Sequence, residues 1–163
     1  MDRSASLTES VSVALAHGDS SREASYAFHE HLHPEPADDV RDYLIHKDGQ
    51  VYAGAHLLVD YWGASRLNEP ELMERALCEA AESAGATVLH VHVHEFGGGG
   101  GVSGVAVLAE SHISVHTWPE LDYAAFDVFM CGNCEPARAE KVLKKYFKPA
   151  RTDVSEQKRG IVE

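Results

Sequence analysis

The feature that most constrains the fold is a series of strand-length segments between residues 87 and 131 in which apolar and polar residues alternate. In Thr87–Glu95, for example, Leu89, Val91 and Val93 occupy every second position, and histidines occupy the positions between them. Such alternation is typical of strands that bury one face of a sheet and leave the other face polar. It predicts an antiparallel sheet with one face covered by other elements.

Segments elsewhere in the chain have residue patterns that also predict strands. The predicted strands are Asp42–His46, Gln50–Trp62, Thr87–Glu95, Val102–Ala109, Ser111–Thr117, Tyr123–Cys131 and a last one near Arg151–Gln157. Between the first two strands, Lys47-Asp48-Gly49 is typical of a hairpin turn.

Two helices interrupt the strands. The first is predicted to begin at Asn68 as N-cap, with Pro70 in its first turn, and to end before Gly85. The second covers about Glu135 to Phe147, where apolar residues recur at helical spacing. Strands clustered around two well-separated helices predict an α+β fold: a two-layer sandwich in which an antiparallel sheet has both helices packed on one face.

Composition sets the domain organisation and narrows the choice of partners. Residues 1–40 have little apolar periodicity and contain Pro34 and Pro36, so they are predicted to form a mobile N-terminal extension to a single domain at 41–163.

With 14 basic and 26 acidic residues the net charge is −12, which argues against nucleic acid and membrane surfaces as partners and favours a cationic substrate. Three cysteines are too few for a disulfide scaffold, and no apolar run approaches the ~18 residues of a membrane span. The expected location is therefore the cytoplasm.

Metal binding by the histidines of the third strand is one interpretation. His90, His92 and His94 share one strand face, and imidazoles are zinc ligands. However, alternate positions on a strand lie ~6.6 Å apart, so three of them seldom converge on one ion. We therefore predict no metal site, and a non-enzymatic metal- or partner-binding module remains the remote alternative.

Redox chemistry is a second interpretation. Cys131-Gly132-Asn133-Cys134 is a C-x-x-C motif between a predicted strand and a predicted helix, the context of a disulfide-exchange site. This interpretation predicts a depressed pKa for Cys131, because a helix N-terminus stabilises a thiolate. The late position of the motif, after several strands, argues against a thioredoxin-like fold.

The block Gly101–Glu120, followed by Asp127–Gly132, is the most unusual part of the sequence. It places Ser111 directly after Glu110, two histidines and a Trp-Pro turn downstream, and a cysteine at a strand end. This block resembles the prokaryotic S-adenosylmethionine decarboxylases, which are pyruvoyl-dependent enzymes of polyamine biosynthesis. The resemblance extends from about His56 to the C-terminal region, roughly two thirds of the chain.

The resemblance implies that the chain is a zymogen that cleaves itself between Glu110 and Ser111. Ser111 would become a pyruvoyl group, the self-generated cofactor, which forms a Schiff base with the substrate amine and acts as the electron sink. Cys131 would be the proton donor, His116 the processing base and Ser103 its hydroxyl partner. Decarboxylation of S-adenosylmethionine would supply the aminopropyl donor for spermidine.

The resemblance also implies a nucleoside site. Phe96 would stack on the adenine ring, Glu120 would hold the ribose hydroxyls, and the backbone of Ile113 would contact the adenine edge. The same machinery acting on another amino acid, such as ornithine or arginine, is the closest alternative, although neither has a purine or a ribose. The five glycines of Gly97–Gly101 predict a flexible loop that leaves Phe96 less well fixed.

Strand geometry raises one question about this site. Ser111 and His116 are five residues apart, so in an unbroken strand they face opposite sides and lie ~16 Å apart. One subunit therefore does not easily bring them together, and a two-fold dimer would. The resemblance likewise implies a homodimer with shared active sites, in which Ser103 and His116 come from the neighbouring subunit.

Overall fold

The computed structural model describes residues 43–162, so the predicted extension at residues 1–40 lies outside the described residues. Seven strands and two α-helices make up the described part of the chain. In order they are β1 (Ile45–Lys47), β2 (Gln50–Trp62), α1 (Pro70–Ser83), β3 (Val88–Glu95), β4 (Val102–Leu108), β5 (Ser111–Trp118), β6 (Tyr123–Met130), α2 (Pro136–Phe147) and β7 (Arg151–Val162).

The strands form one antiparallel sheet in the order β1-β2-β6-β5-β4-β3, and β7 also pairs with β2. The first hairpin is the predicted one: Lys47 pairs with Gln50, and the two turn residues Asp48 and Gly49 have φ of 53° and 73°. Two left-handed residues in a two-residue loop match the right-handed twist of the flanking strands. β5 lies in the middle of the sheet, between β4 and β6.

Both helices pack on the same face of this sheet. α1 lies against β3 and β4, α2 lies against β2 and β6, and the two helices contact each other. Their buried residues, such as Met73, Leu77, Leu143 and Phe147, form one core with the inward side chains of the strands. The predicted two-layer α+β sandwich is thus confirmed. No helix among residues 43–162 is long and apolar enough to cross a membrane.

The predicted start of α1 is wrong by one residue. Glu69 is the N-cap and makes no side-chain cap hydrogen bond. Its carboxylate is instead held by the Arg66 guanidinium, with N–O distances of 2.6 and 2.8 Å. The N-cap hydrogen bond predicted for Asn68 is therefore absent, and the cap residue Glu69 makes an ion pair instead. The helix ends as predicted, with Gly85 just beyond it in the left-handed region at φ 87°.

Three strands differ from their predicted form, and the first of them, β1, begins at Ile45, three residues after its predicted start. A shift of register between Val88 and His90 turns Leu89 outward, so that 64% of its surface is exposed and Val88 packs on the core in its place. β7 continues to Val162, five residues beyond its predicted end. Its register with β2 runs from Arg151 to Val162, so pairing with a long partner strand extends a segment whose own pattern is weak.

β5 shows the alternation that organises the site. Its inward residues are buried: Ser111, Ile113, Val115 and Thr117. The residues between them lie on the opposite side of the sheet, which we call the outer face: His112, Ser114, His116 and Trp118.

Candidate active site

The first group of predicted site residues lies at the start of β5. A two-residue turn, Ala109-Glu110, joins β4 to β5, and Leu108 pairs with Ser111 across it. Glu110 has φ of 66°, in the left-handed region. For a residue other than glycine this conformation costs about 1–2 kcal/mol. The peptide bond between Glu110 and Ser111 therefore follows a strained residue.

Ser111 and Cys131 meet beside this turn. The Ser111 side chain points inward and only 8% of the residue is exposed. The backbone N–H of Cys131, the residue after β6, donates a hydrogen bond to Ser111 Oγ at 3.2 Å. Glu110, Cys131 and Cys134 line one cleft of about 550 Å³ next to this contact.

The electrostatics of this cleft differ from the redox prediction. Burial raises the pKa of the Cys131 thiol, and the negative charge of Glu110 and the neighbouring Cys134 raise it further. The pKa of Cys134 is raised by the same two main causes, burial and Glu110. The predicted depressed pKa is therefore wrong, because burial disfavours the thiolate and the Glu110 carboxylate adds to this effect. All three cysteines of the chain, including Cys78, are free thiols, and Cys131 is a protonated thiol at neutral pH.

The second group lies at the other end of β5. His116 is on the outer face and pairs directly with Ser103 of β4. Side chains of such opposed residues lie about 4.5–5.5 Å apart at Cβ. A cleft of about 360 Å³ at this end is lined by Phe96, His116 and Glu120, among others.

Phe96 makes two contacts beside the glycine loop. Its backbone N–H donates a hydrogen bond to the Gly101 carbonyl at 3.0 Å, which closes the glycine loop at its base. Its ring packs edge-on against His94, with ring centroids 5.1 Å apart. Half of the residue is exposed and it lines the cleft, so its ring is available for stacking.

The structure therefore brings the predicted residues together as two groups. Glu110, Ser111 and Cys131 share one end of β5, whereas Phe96, Ser103, His116 and Glu120 share the other. β5 is unbroken from Ser111 to Trp118, which separates Ser111 from His116 by ~16 Å and places them on opposite faces.

Ile113 belongs to neither group. Its side chain is fully buried, and its backbone lies between Ala106 of β4 and Val128 of β6. Neither of the two clefts is lined by this residue.

A polar cluster on the outer face was not identified from the sequence. His56 Nε2 lies 3.2 Å from Asp127 Oδ1, and its Nδ1 lies 3.2 Å from a guanidinium nitrogen of Arg159. His112 stacks on Phe129 at 5.4 Å, and burial lowers its pKa, with His56 adding to the effect. The sequence shows these residues at alternate strand positions, but only the register of β2, β6 and β5 reveals that they adjoin.

The three histidines of β3 lie along the edge of the same outer face, opposite alternate residues of β4. Within residues 43–162, no group of three His, Cys, Asp or Glu side chains is placed to hold a metal ion.

Comparison with known proteins identifies the family. The sequence profile of the S-adenosylmethionine decarboxylase family matches residues 55–160. This span includes both groups of site residues and nearly all of the sheet. The chain therefore belongs to the S-adenosylmethionine decarboxylase family, and the predicted family membership is confirmed.

Individual relatives agree over the same region. The S-adenosylmethionine decarboxylase proenzyme of Methanococcus maripaludis strain C7 is 45% identical over 113 residues, which are 68% of this chain and 92% of that protein. The proenzyme of Thermomicrobium roseum is 41% identical over 110 residues, covering 67% and 95% of the two chains. The crystal structure of the adenosylmethionine decarboxylase of Aquifex aeolicus superposes with a TM-score of 0.62 at 35% identity, covering 69% of this chain and 94% of that one.

Proposed function

We propose that this chain is a proenzyme that cleaves its own peptide bond between Glu110 and Ser111, and that the mature protein decarboxylates S-adenosylmethionine. The observation that carries the proposal is the arrangement at the start of β5, where left-handed Glu110, the buried Ser111 hydroxyl and Cys131 lie together. The names of the relatives, proenzymes of this decarboxylase, support it. The product would supply aminopropyl groups for polyamine biosynthesis.

Self-cleavage begins at the Ser111 hydroxyl. Its Oγ attacks the Glu110 carbonyl carbon, the C–N bond breaks, and the nitrogen of residue 111 takes up the proton that the hydroxyl loses. This shift from amide to ester is uphill for a relaxed amide, so strain stored at Glu110 favours it. A base then removes the α-proton of Ser111 and the Cβ–Oγ bond breaks, which leaves Glu110 as a carboxylate at the end of residues 1–110. His116, oriented by Ser103, is the proposed base.

The dehydroalanine left at position 111 reacts with water to give a pyruvoyl group and ammonia. The residues around this position fit such a group. The position is sheltered from water, and a backbone N–H donor from Cys131 already points at the side chain of residue 111. A pyruvoyl group there supplies the electron sink that decarboxylation requires. The Cys131 thiol, kept protonated by its raised pKa, holds the proton that the substrate carbon needs after carbon dioxide leaves.

The second cleft favours a nucleoside substrate. Phe96 offers an aromatic face, and Glu120 offers a carboxylate that can accept hydrogen bonds from a ribose diol in the same cleft. Base–aromatic stacking of this kind contributes about 1–3 kcal/mol. Ornithine and arginine would leave this cleft without a matching group. The acidic chain, with a net charge of −12, also suits a sulfonium cation.

We further propose that the active enzyme is a homodimer with shared sites. One substrate molecule has its amino acid part at Ser111 and its nucleoside part near Phe96, yet these lie at opposite ends of β5 in one protomer. A two-fold axis brings the second group of a partner to the first group of its neighbour. Exposed apolar residues on the outer face suit such a contact: Leu58, Val107 and Trp118 are each about 40% exposed.

The proposed compartment is the cytoplasm, where reducing conditions keep thiols free. A cytoplasmic setting would preserve the Cys131 proton donor, which is a free thiol in this chain.

The substrate assignment is tested by measuring release of labelled carbon dioxide from carboxyl-labelled substrates. We expect release from S-adenosylmethionine and only background release from ornithine and arginine. Phe96→Ala should raise KM for S-adenosylmethionine about 5- to 150-fold, the equivalent of one lost stacking contact. Turnover of ornithine or arginine by the unmodified protein, with none for the nucleoside substrate, would show that the assignment is wrong.

A further inference from the structure

Thr117 borders the cleft that contains Phe96 and Glu120 and has no role in the proposed chemistry. It is one of two buried polar residues in the described chain, only 7% exposed, and it lies in the inward row of β5. Burying a hydroxyl is costly unless its hydrogen bonds are made. Its Oγ1 donates to the Leu67 carbonyl at 2.8 Å and accepts from the Val102 N–H at 2.7 Å.

These two hydrogen bonds tie three segments together. Leu67 belongs to the segment that leads into α1, Val102 is the first residue of β4, and Thr117 is near the end of β5. Because Val102 directly follows the glycine loop, the Thr117 hydroxyl fixes the point at which that loop rejoins the sheet.

Gly101 extends this anchor to the loop itself. Its backbone packs so closely on β5 that a Cβ there would lie 2.0 Å from the Thr117 carbonyl oxygen, which no real side chain tolerates. The Gly101 carbonyl in turn accepts the hydrogen bond from the Phe96 N–H at 3.0 Å. A continuous set of contacts therefore runs from Thr117 through Gly101 to Phe96. In contrast, a Cβ on Gly97 would meet nothing within 4 Å.

We infer that Thr117 is a positioning residue for nucleoside recognition, acting through Gly101 on Phe96. Four flexible glycines would otherwise let the Phe96 ring sample many positions, and ordering them on binding would reduce affinity. With both ends fixed, the loop is already ordered in the folded protein, so ligand binding loses less conformational entropy. The inference rests on the proposed nucleoside site and adds a residue that borders the same cleft and determines its affinity through a hydroxyl buried behind it.

The test is a double-mutant cycle on nucleoside binding. The probe is 5′-deoxy-5′-methylthioadenosine, which has the nucleoside part of the substrate but no amine or carboxylate, and its Kd is measured by calorimetry. Thr117→Val keeps the shape but removes the hydroxyl, and should weaken binding about tenfold. Thr117→Ser restores the hydroxyl and should bind within about twofold of the unmodified protein, as should Gly97→Ala in the open part of the loop.

The decisive comparison is made in the Phe96→Ala background. If Thr117 acts through Phe96, the valine substitution causes no further loss once the ring is gone. We also expect Thr117→Val to self-cleave as completely as the unmodified protein and to raise KM while leaving kcat unchanged. If the valine variant does not fold, Thr117→Cys, with a weak hydrogen-bonding thiol, replaces it in the same comparison.

Two results would overturn the inference while leaving the nucleoside site intact. One is unchanged probe binding in Thr117→Val while Phe96→Ala binds weakly; the other is a valine effect that persists undiminished in Phe96→Ala. Unchanged binding in Phe96→Ala itself would instead overturn the assignment of this cleft to a nucleoside, and the role of Thr117 with it.

Discussion

The turns at the two ends of β5 both contain a left-handed residue that is not glycine, yet they are built differently. At the end of β5, Asp122 has φ of 48°, a conformation that aspartate tolerates, and its backbone bonds both Pro119 and Ala64. The ring of Trp118 packs on Tyr123 and that of Tyr123 packs on Trp62, which supports this turn. At the start of β5, Glu110 has φ of 66° in a turn of only two residues.

The two turns therefore suit two different functions, substrate recognition and self-cleavage. The supported turn carries Glu120 and borders the cleft with Phe96, so it keeps a recognition site in shape. The tight turn holds strain directly before Ser111, so it stores free energy at the bond that is proposed to break. If the two ends of β5 are specialised in this way, substitutions at each end should affect different steps, and the two ends should work together only across two subunits.

The largest expected effect is all-or-none. Ser111→Ala removes the attacking hydroxyl and His116→Ala removes the proposed base, so each variant alone should remain uncleaved. Co-expression of the two should restore cleavage at the intact Ser111 when the partner subunit supplies His116. Fragments are read by denaturing electrophoresis, with each variant expressed alone as the control. If both act within one protomer, the co-expressed pair stays uncleaved, and the shared-site arrangement is wrong.

Next in size is the loss of the proton donor. Cys131→Ala should still self-cleave but decarboxylate about 10²–10⁴-fold more slowly, the usual contribution of a positioned acid. Cys134→Ala, which alters the adjoining thiol in the same cleft, is the matched control and should lose little. The measurement is kcat for carbon dioxide release, normalised to the cleaved fraction. Normal turnover by Cys131→Ala would remove that residue from the mechanism.

A smaller effect tests the strain directly. Glu110→Gly removes the conformational cost of the left-handed residue, and should slow self-cleavage about 5- to 30-fold because about 1–2 kcal/mol no longer assists the bond shift. Asp122→Gly makes the same change at the supported turn and should leave the cleavage rate unchanged. Rates are followed by electrophoresis after rapid purification of the precursor. Equal cleavage rates in Glu110→Gly and the unmodified protein would show that backbone strain at Glu110 does not accelerate self-cleavage.

The smallest effect is on the pH dependence of the mature enzyme. The donor must be a thiol, so activity should fall as pH rises through the pKa of Cys131, which burial and Glu110 hold above the ordinary thiol range. Glu110→Gln removes the negative charge that disfavours the thiolate. In Glu110→Gln the alkaline limb of the pH profile of kcat should therefore move to lower pH. An unchanged limb would mean that Glu110 does not act on Cys131 in the mature protein.

Much of this arrangement was accessible from the sequence because β5 alternates cleanly. Alternation placed Ser111 and His116 on opposite faces, and the Asp48-Gly49 turn and the end of α1 at Gly85 follow from backbone preferences of single residues. Family resemblance, rather than periodicity, pointed to Glu110, Cys131 and Glu120.

Other features depend on partners that a single sequence does not display. Leu89 was predicted to face the core together with Val91 and Val93. A local register shift turns it outward, and the hydrophobic pattern of the sequence does not reveal this shift. The pKa of Cys131 is raised first by burial and then by Glu110, and both depend on the fold because Glu110 is distant in sequence from the thiol. The Thr117 anchor likewise joins residues from three segments, and nothing in its local sequence marks a buried hydroxyl with two backbone partners.

The most direct test of the central claim is the intact mass of freshly purified protein, measured with and without reduction by borohydride. Self-cleavage predicts two chains, residues 1–110 ending in Glu110 and residues 111–163 beginning with a ketone in place of Ser111, and reduction should add two hydrogens to the second chain alone. An active preparation that contains only the full-length chain and gains no mass on reduction would contradict the account.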